Sequence, residues 1–595
     1  MKSLALRWAA LVMLLGLLVR AVIAWELLAE PELPSVDVWL ALLIGGYQDL
    51  FALALLSGPL ALALLINLRV GRAVLFVLVA VVLIVAFAEM FFWWEFENRL
   101  NRLVFHYLLF PREVVVFLED QFYVSVYAIP AIAVIYGTYR FVAVGFPQTV
   151  SQLGQSLMIV VLLICAATLL MARPWEFSDS RRVNQMASNG YLGVSHAATT
   201  DEALWHGRYW RPENPVAGLA ADSVSVDGSV PLEMPLQIKH VVMIVEESFA
   251  GEVWSRPGLR AQYLPRLSAL MNRSVNFEQI YTTGSRTTRG LEALLNGFPP
   301  LPGIALSQRE GFERLPSLPR ALGDAGFYSA FVYGGWPGFS NFFEYWRALG
   351  YDELTSRHDF SGTDHETSWG VADEYLFARV REEMSRLSKL HERVFVTTLT
   401  VSHHRPFDFP AGRIPFPAED RRSEYALAYA DWALGQFLED ASDEPWFRDT
   451  LFVVVADHGP RIKGDSPIPV EGFRVPLLFY SPTHLEPRSV SHLGSAMSVG
   501  VTLLELLGIP NHEGLYGNNI LNVAEGLVPV EHEYHVGLLT REGLTVLHRG
   551  GALSGWRYEG KRLVPGPTDR EVAVRAAKLF SDAHEWFYHP PAGAH

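Results

Sequence analysis

The chain has 595 residues and a mass of 66.6 kDa, too long for one compact domain. Apolar residues make up 50% and charged residues 19%, against about 25% charged in soluble proteins. This excludes a chain that is all disorder or all coiled coil and points to a membrane portion. The net charge of −15 argues against a nucleic-acid partner, which would need basic patches to neutralise phosphate. A single cysteine, Cys165, excludes an intramolecular disulfide and a cysteine-rich metal site.

Hydrophobic runs dominate the first 172 residues. Five spans are expected, at Leu4–Trp25, Gln48–Leu68, Ala73–Phe92, Tyr123–Val144 and Leu157–Leu170; crossing a hydrocarbon core takes roughly 20 residues. Lys2, Arg7, Arg69, Arg72 and Arg140 flank these spans on one side. By the positive-inside bias that side is the cytoplasm, and everything after Met171 lies outside. Arg20, inside the first span, is expected to snorkel to the outer interface. The first span also fits a signal peptide, with Val22 and Ala24 flanking a cleavage position. The stretch Glu95–Gln121 mixes apolar residues with Arg99, Arg102 and Arg112, a pattern suited to helices lying in the interface.

Residues 173–235 are rich in Ser, Asn, Gly and Pro and read as a linker. From 236 onward, β-branched apolar runs alternate with helical patterns. Strands are expected at Ser274–Tyr281, Ile238–Val245, Tyr328–Tyr333, Val394–Thr400, Leu451–Ala456 and Val475–Tyr480. Helices are expected at Thr288–Leu295, Val371–Leu390, Ser423–Ala441 and Met497–Leu507. Such alternation predicts an α/β domain over 236–595 with a largely parallel central sheet. Ligands in such sheets bind beyond the carboxyl ends of the strands.

Three of those strand ends carry metal-ligand residue types: Glu246 and Glu247, then His403 and His404, then Asp457 and His458. Each alone is compatible with a capping or solvated residue. Together they predict a divalent site of oxygen and nitrogen ligands. The stretch YTTGSRTTRGLEA, Tyr281–Ala293, leads from a strand through Arg286 and Thr287 into a helix. A threonine there is either a helix cap or a hydroxyl that a metal and the helix N-terminus activate as a nucleophile.

Glu247 in EESF, Thr287 in GSRTTRGLEA, SWGVADEYLF at Ser368–Phe377, TVSHHRPF at Thr400–Phe407 and ADHG at Ala456–Gly459 stand in an order that resembles the lipoteichoic acid synthases. The set is similar, too, to the phosphoglycerol transferases that decorate periplasmic glucans. Both belong to the alkaline phosphatase/sulfatase superfamily. FVYGGW at Phe331–Trp336 and Asn341 also look like that family. The resemblance implies a five-helix transmembrane module followed by an extracytoplasmic sulfatase-like domain, in a multi-pass protein of the bacterial inner membrane. It implies a Mn²⁺ site, with Mg²⁺ or another divalent ion as alternatives, held by Glu247, Asp457, His458 and the Thr287 oxygen. It places His404 and Arg286 around a phosphate, and Trp369, Asp373 and Asn341 at the substrate; His365 is a weaker candidate, and Trp369 is equally compatible with a core position. The expected activity is transfer of phosphoglycerol from phosphatidylglycerol to a glycan or glycerol-phosphate acceptor through Thr287. A metal-dependent hydrolase using water, and a non-catalytic sensor, are the alternatives. The family often has an Asp and a Pro near Ser498–Val501, and this chain has neither there.

Overall fold

The computed structural model describes residues 2–30, 33–101, 124–149, 152–171, 176–198, 208–212, 235–249, 251–459, 464–522 and 526–590, with isolated positions between 104 and 119. The chain divides into two compact units, Met1–Asp201 with Lys463–Asp465, and Glu202–Ile462 with Ser466–His595.

In the first unit, helices occupy all five expected spans: Lys2–Leu28, Ser35–Ile66, Leu68–Phe96, Val124–Ala143 and Gln152–Met171. Among the described residues, four are long and apolar enough to cross a membrane, and they mark the chain as a membrane protein. The fifth counts as an apolar helix over Gly154–Ala167 among the described residues. The second helix begins at Ser35, well before the expected Gln48. Gln48 and Asp49 read as a polar boundary, yet both are buried within the helix. Asp49 is tolerated there because Arg20 donates to it at 2.6 Å and Asn189 at 2.8 Å. Arg20 therefore does not snorkel. It is 1% exposed and also donates to the carbonyls of Met186 and Ser188. A charge in an apolar helix needs a counter-ion close by, and the second helix supplies one.

Asn67 alone links the second and third helices, its side chain accepting the Arg69 N–H. The third helix ends at Phe96, inside the stretch expected to lie in the interface. Arg99, two residues beyond the left-handed Glu97, is buried against Glu89, with Nη2 2.8 Å from both carboxylate oxygens. Most of the rest of that stretch lies outside the described residues. The expected linker contains two helices, Arg181–Ala187 and Gly190–Ala198. Residues 199–207 and 213–234 of it lie outside the described residues.

The second unit is built on an eight-stranded sheet. Its strands are β1 (His240–Glu246), β2 (Val275–Tyr281), β3 (Phe327–Tyr333), β4 (Glu353–Thr355), β5 (Arg393–Leu399), β6 (Thr450–Ala456), β7 (Arg474–Tyr480) and β8 (Arg488–Ser495), in the order β4-β3-β5-β1-β6-β7-β2-β8. Only β7 runs against its neighbours β6 and β2. β1 is buried along its whole length, its apolar side chains covered by helices on both faces, as the uninterrupted HVVMIVE run requires. β5 and β6 flank it in parallel, with Val245 level with Leu399 and Glu246 level with Ala456. All three strands therefore end at one edge.

A second, antiparallel sheet was not legible in the sequence: β9 (Val528–His532), β10 (His535–Leu539), β11 (Gly543–Leu547), β12 (Leu553–Glu559) and β13 (Arg562–Gly566). Helix Arg570–Tyr588 covers it, packing Ala576, Ala577 and Phe580 on Val536, Leu538 and Leu547.

Candidate metal centre and its pocket

β1 runs straight into Glu246, Glu247 and Ser248. Ser248 turns the chain with φ of 51°, a left-handed conformation that costs a non-glycine residue energy and clusters at functional sites. The turn aims the Ser248 N–H at Asp457 Oδ1, 2.8 Å away, and its hydroxyl at Glu247 Oε1, 2.5 Å away. From β6, Asp457 and His458 arrive beside them. The His458 Nε2 lies 3.7 Å from Glu247 Oε1 and 3.5 Å from Asp457 Oδ2. Its Nδ1 is 2.6 Å from the Gly459 carbonyl. That bond assigns the proton to Nδ1 and leaves the Nε2 lone pair facing the carboxylates, the arrangement metal-binding histidines use.

One ligand atom each from Glu247, Asp457 and His458 lies within 4.8 Å of the others, and all three residues are buried. Asp457 is fully buried and its Oδ2 has no hydrogen-bond partner. Burial, reinforced by Asp457, raises the Glu247 carboxyl to about 8. Burial likewise raises Asp457 to about 7, against hydrogen bonds from the N–H groups of Ser248 and His458. Two crowded carboxylates with an orphaned oxygen and an imidazole lone pair fit a hard or borderline divalent cation.

Thr287 completes the cluster. It is the first residue of helix Thr287–Asn296, and Arg286 precedes it at the cap. The Thr287 hydroxyl lies 3.3 Å from Glu247 Oε2. Thr287 does not hold the cap position in this fold: Arg286 does, and Thr287 is already helical. Arg286 is exposed, close enough to His458 for its charge to oppose protonation of that ring.

A pocket opens beside these groups. Glu247, Thr287 and His404 form its polar side, and Tyr333, Phe342, Trp369, Leu399 and Val401 its apolar side. Of the residues expected around the substrate, His404 and Trp369 line it together: their ring centroids are 3.6 Å apart, and the indole N–H donates to the Arg405 carbonyl at 2.6 Å. Burial, with His458 and His403 adding to it, lowers His404 to about 3, so the ring is neutral. Asn341 is exposed and does not line the pocket, although its neighbour Phe342 does. Asp373 is buried behind the pocket wall. His365 sits 3.6 Å from Asp408, away from the pocket.

Several contributors escaped the sequence reading. Ser248 bonds to the carboxylates of both Glu247 and Asp457, Thr400 accepts the Glu247 N–H at 2.9 Å, and Tyr333 presents a ring that is 3% exposed. Tyr333 was available in the FVYGGW run, where Gly335 leaves room for it: a Cβ there would meet the tyrosine hydroxyl at 2.4 Å. His403, next to His404, is a strut instead, bridging the Glu247 carbonyl and the Ser423 hydroxyl.

Residues 239–509 match the Sulfatase family. Phosphoglycerol transferase I of Xanthomonas campestris pv. campestris (strain B100) is 27% identical over 301 residues, 46% of this chain and 42% of that protein. Lipoteichoic acid synthase-like YvgJ of Bacillus subtilis (strain 168) is 21% identical over 310 residues, 48% of this chain and 50% of that one. The matched stretch thus spans half or less of these relatives. Among solved structures, a protein in the alkaline phosphatase superfamily from Vibrio parahaemolyticus is 28% identical with a TM-score of 0.56, covering 60% of this chain and 89% of its own. The lipoteichoic acid synthase LtaP from Listeria monocytogenes shares the fold at 19% identity and a TM-score of 0.51, covering 62% and 97%. The soluble domain is of the sulfatase type within the alkaline phosphatase superfamily. Residues 239–509 are similar to that family, and among its members the chain is similar to a phosphoglycerol transferase and a lipoteichoic acid synthase-like protein.

Proposed function

We propose that this protein is a metal-dependent phosphoglycerol transferase of the bacterial inner membrane, with its soluble domain on the outer side. In this reading it moves phosphoglycerol from phosphatidylglycerol to a glycan or glycerol-phosphate acceptor. The observation that carries the reading is Thr287: its hydroxyl stands within reach of Glu247, at a helix start, beside Asp457 and His458.

Glu247, Asp457, His458 and the Thr287 oxygen would hold the ion, with Mn²⁺ favoured over Zn²⁺ because the set lacks thiolate. When bound, such an ion lowers the pKa of a ligating hydroxyl and withdraws charge from a phosphoryl oxygen. Thr287 Oγ1 attacks phosphorus, forming an oxygen–phosphorus bond as the bond to the diacylglycerol oxygen breaks, and the proton given up by the threonine hydroxyl passes by way of water to that leaving oxygen. Arg286 and the first N–H groups of helix Thr287–Asn296 stabilise charge on the phosphoryl oxygens. The neutral His404 takes the proton of the acceptor hydroxyl in the second step, which releases Thr287. The pocket's apolar side, Trp369 and Phe342 in particular, suits the carbon skeleton of a glycerol.

Product analysis tests this. The full chain, with Mn²⁺ and labelled phosphatidylglycerol, is expected to yield diacylglycerol and a labelled glycan when a glucan acceptor is present. Thr287→Ala should lower turnover by several orders of magnitude while the protein stays folded, since loss of a nucleophile removes most of the rate. Release of free glycerophosphate whatever the acceptor would make the enzyme a hydrolase. An active Thr287→Ala protein would remove Thr287 from the mechanism.

A further inference from the structure

Asp373 opens helix Asp373–Leu390 and is fully buried, yet it touches no pocket surface. Its Oδ1 accepts the N–H groups of Val401 at 3.0 Å and Ser402 at 3.1 Å. The bond is returned, for the Asp373 N–H donates to the Ser402 hydroxyl at 3.0 Å. Its Oδ2 has no partner. A buried carboxylate with an unpaired oxygen is costly. An aspartate at a helix start ordinarily turns toward its own helix or toward water; this one reaches across to the segment that follows β5.

That segment carries the pocket. The Val401 carbonyl accepts the His404 N–H at 3.1 Å, so Asp373 and His404 hold opposite ends of one short turn. Val401 itself lines the pocket with His404. One residue earlier, Thr400 accepts the Glu247 N–H and donates to Glu246 Oε2 at 3.2 Å. Trp369 covers His404 from the other side.

We propose that Asp373 is a positioning residue: it sets the height of His404 in the pocket through the Val401–Ser402 backbone and makes no contact with substrate. The assignment rests on the reading of this pocket as a phosphodiester-processing centre only where activity is measured.

The test uses the full chain in detergent with Mn²⁺ and a chromogenic glycerophosphodiester. The variants are Asp373→Ala, Asp373→Asn, His404→Ala and the Asp373→Ala/His404→Ala double mutant. Asp373→Ala is expected to lower kcat about 100-fold with KM little changed, the scale of a misplacement of about 1 Å. Asp373→Asn should keep most of kcat, because its amide oxygen still accepts both N–H groups. In the His404→Ala background, Asp373→Ala should cost nothing further, because the two act as one unit. Hydrogen exchange at residues 400–404 should accelerate at least about tenfold in Asp373→Ala, with β5 unchanged.

Additive losses, a rise in KM alone, or unchanged exchange would each overturn the proposal. If Asp373→Ala does not fold, Ser402→Ala removes only the returned bond; faster exchange over 400–404 then supports the proposal and unchanged exchange sinks it. If the wild-type protein turns over no phosphodiester, the transferase reading fails by itself, and the exchange measurement still decides the role of Asp373.

Discussion

Gly290, one turn into the helix that Thr287 begins, packs directly on the backbone of Asp457: a Cβ added to it would lie 2.3 Å from the Asp457 carbonyl oxygen. The helix that Thr287 begins and the end of the strand that delivers Asp457 can approach this closely only because the side chain is missing. Gly290→Ala must push the helix off, since both sides of the contact are backbone. We expect a destabilisation of about 1–3 kcal/mol and a loss of turnover near 100-fold as Thr287 moves away from Glu247. Thermal unfolding and steady-state rates on the same preparation check both. Full turnover in a folded Gly290→Ala protein would show that the spacing is not critical.

Trp369 does two things at once, stacking on His404 and donating to the Arg405 carbonyl. Trp369→Phe keeps a face for the imidazole and loses the hydrogen bond; Trp369→Ala loses both. The expected order of kcat/KM is wild type, then Phe, then Ala, with Ala down by about 10- to 100-fold, or roughly 1.4–3 kcal/mol. Equal losses in the two variants would assign the whole effect to the hydrogen bond.

His240 opens β1, is 5% exposed, and its Nδ1 has no partner. Burial holds its pKa down at about 4, with Asp449 opposing. Between about pH 4 and pH 6.5 the unfolded chain therefore binds more protons at this site than the folded one. The stability contribution is complete above the unfolded value and is lost as pH falls toward 4, with a ceiling of about 3 kcal/mol. Unfolding midpoints from pH 7.5 to 5 should fall less steeply in His240→Gln than in wild type. Parallel curves would place the pH dependence elsewhere.

The membrane unit offers a test of its buried pairs. Removing only Arg20 strands Asp49, 3% exposed, among apolar helices. A broken buried pair costs about 3–5 kcal/mol, more than its replacement by apolar residues of similar size. Arg20→Ala should lower the thermal midpoint more than the Arg20→Met/Asp49→Leu double variant, as read by unfolding in detergent. The reverse order would show that the bonds from Arg20 to Met186 and Ser188 dominate.

The legible parts of this chain were those where one residue pattern has one physical reading. Apolar β-branched runs such as Val241–Val245 and Val453–Val455 read as buried strands, and Ser423–Ala441 fell on its helix because its buried Ala426, Leu427, Ala430, Leu434, Phe437 and Ala441 recur at helical spacing. Glu247, Asp457 and His458, which the fold brings together, could be picked out because they follow such runs. The second sheet was not: β9 to β11 are five-residue strands holding Pro529, Gly537 and Gly543, too short and too broken for a period to emerge. Arg20 and Asp373 lie elsewhere than expected for a shared reason. Their roles are set by partners about 30 residues away along the chain, and pairing at that range leaves no local pattern.

The order β5-β1-β6 at the middle of the sheet has a consequence for how this scaffold tolerates change. Adjacent parallel strands in one hydrogen-bonded register move as a body, so the spacing of Glu247, Thr400 and Asp457 is fixed by the ladder and not by what hangs from it. The turns at 356–368 and 408–422 lie outside that ladder and rest on the helices around it, Phe416 on Tyr263 and Tyr425 and Arg413 on Glu374. Insertions there should leave ion binding intact while changing which molecule is admitted. A rigid socket with interchangeable rims lets the shape of its mouth vary without moving the buried cluster of Glu247, Asp457 and His458.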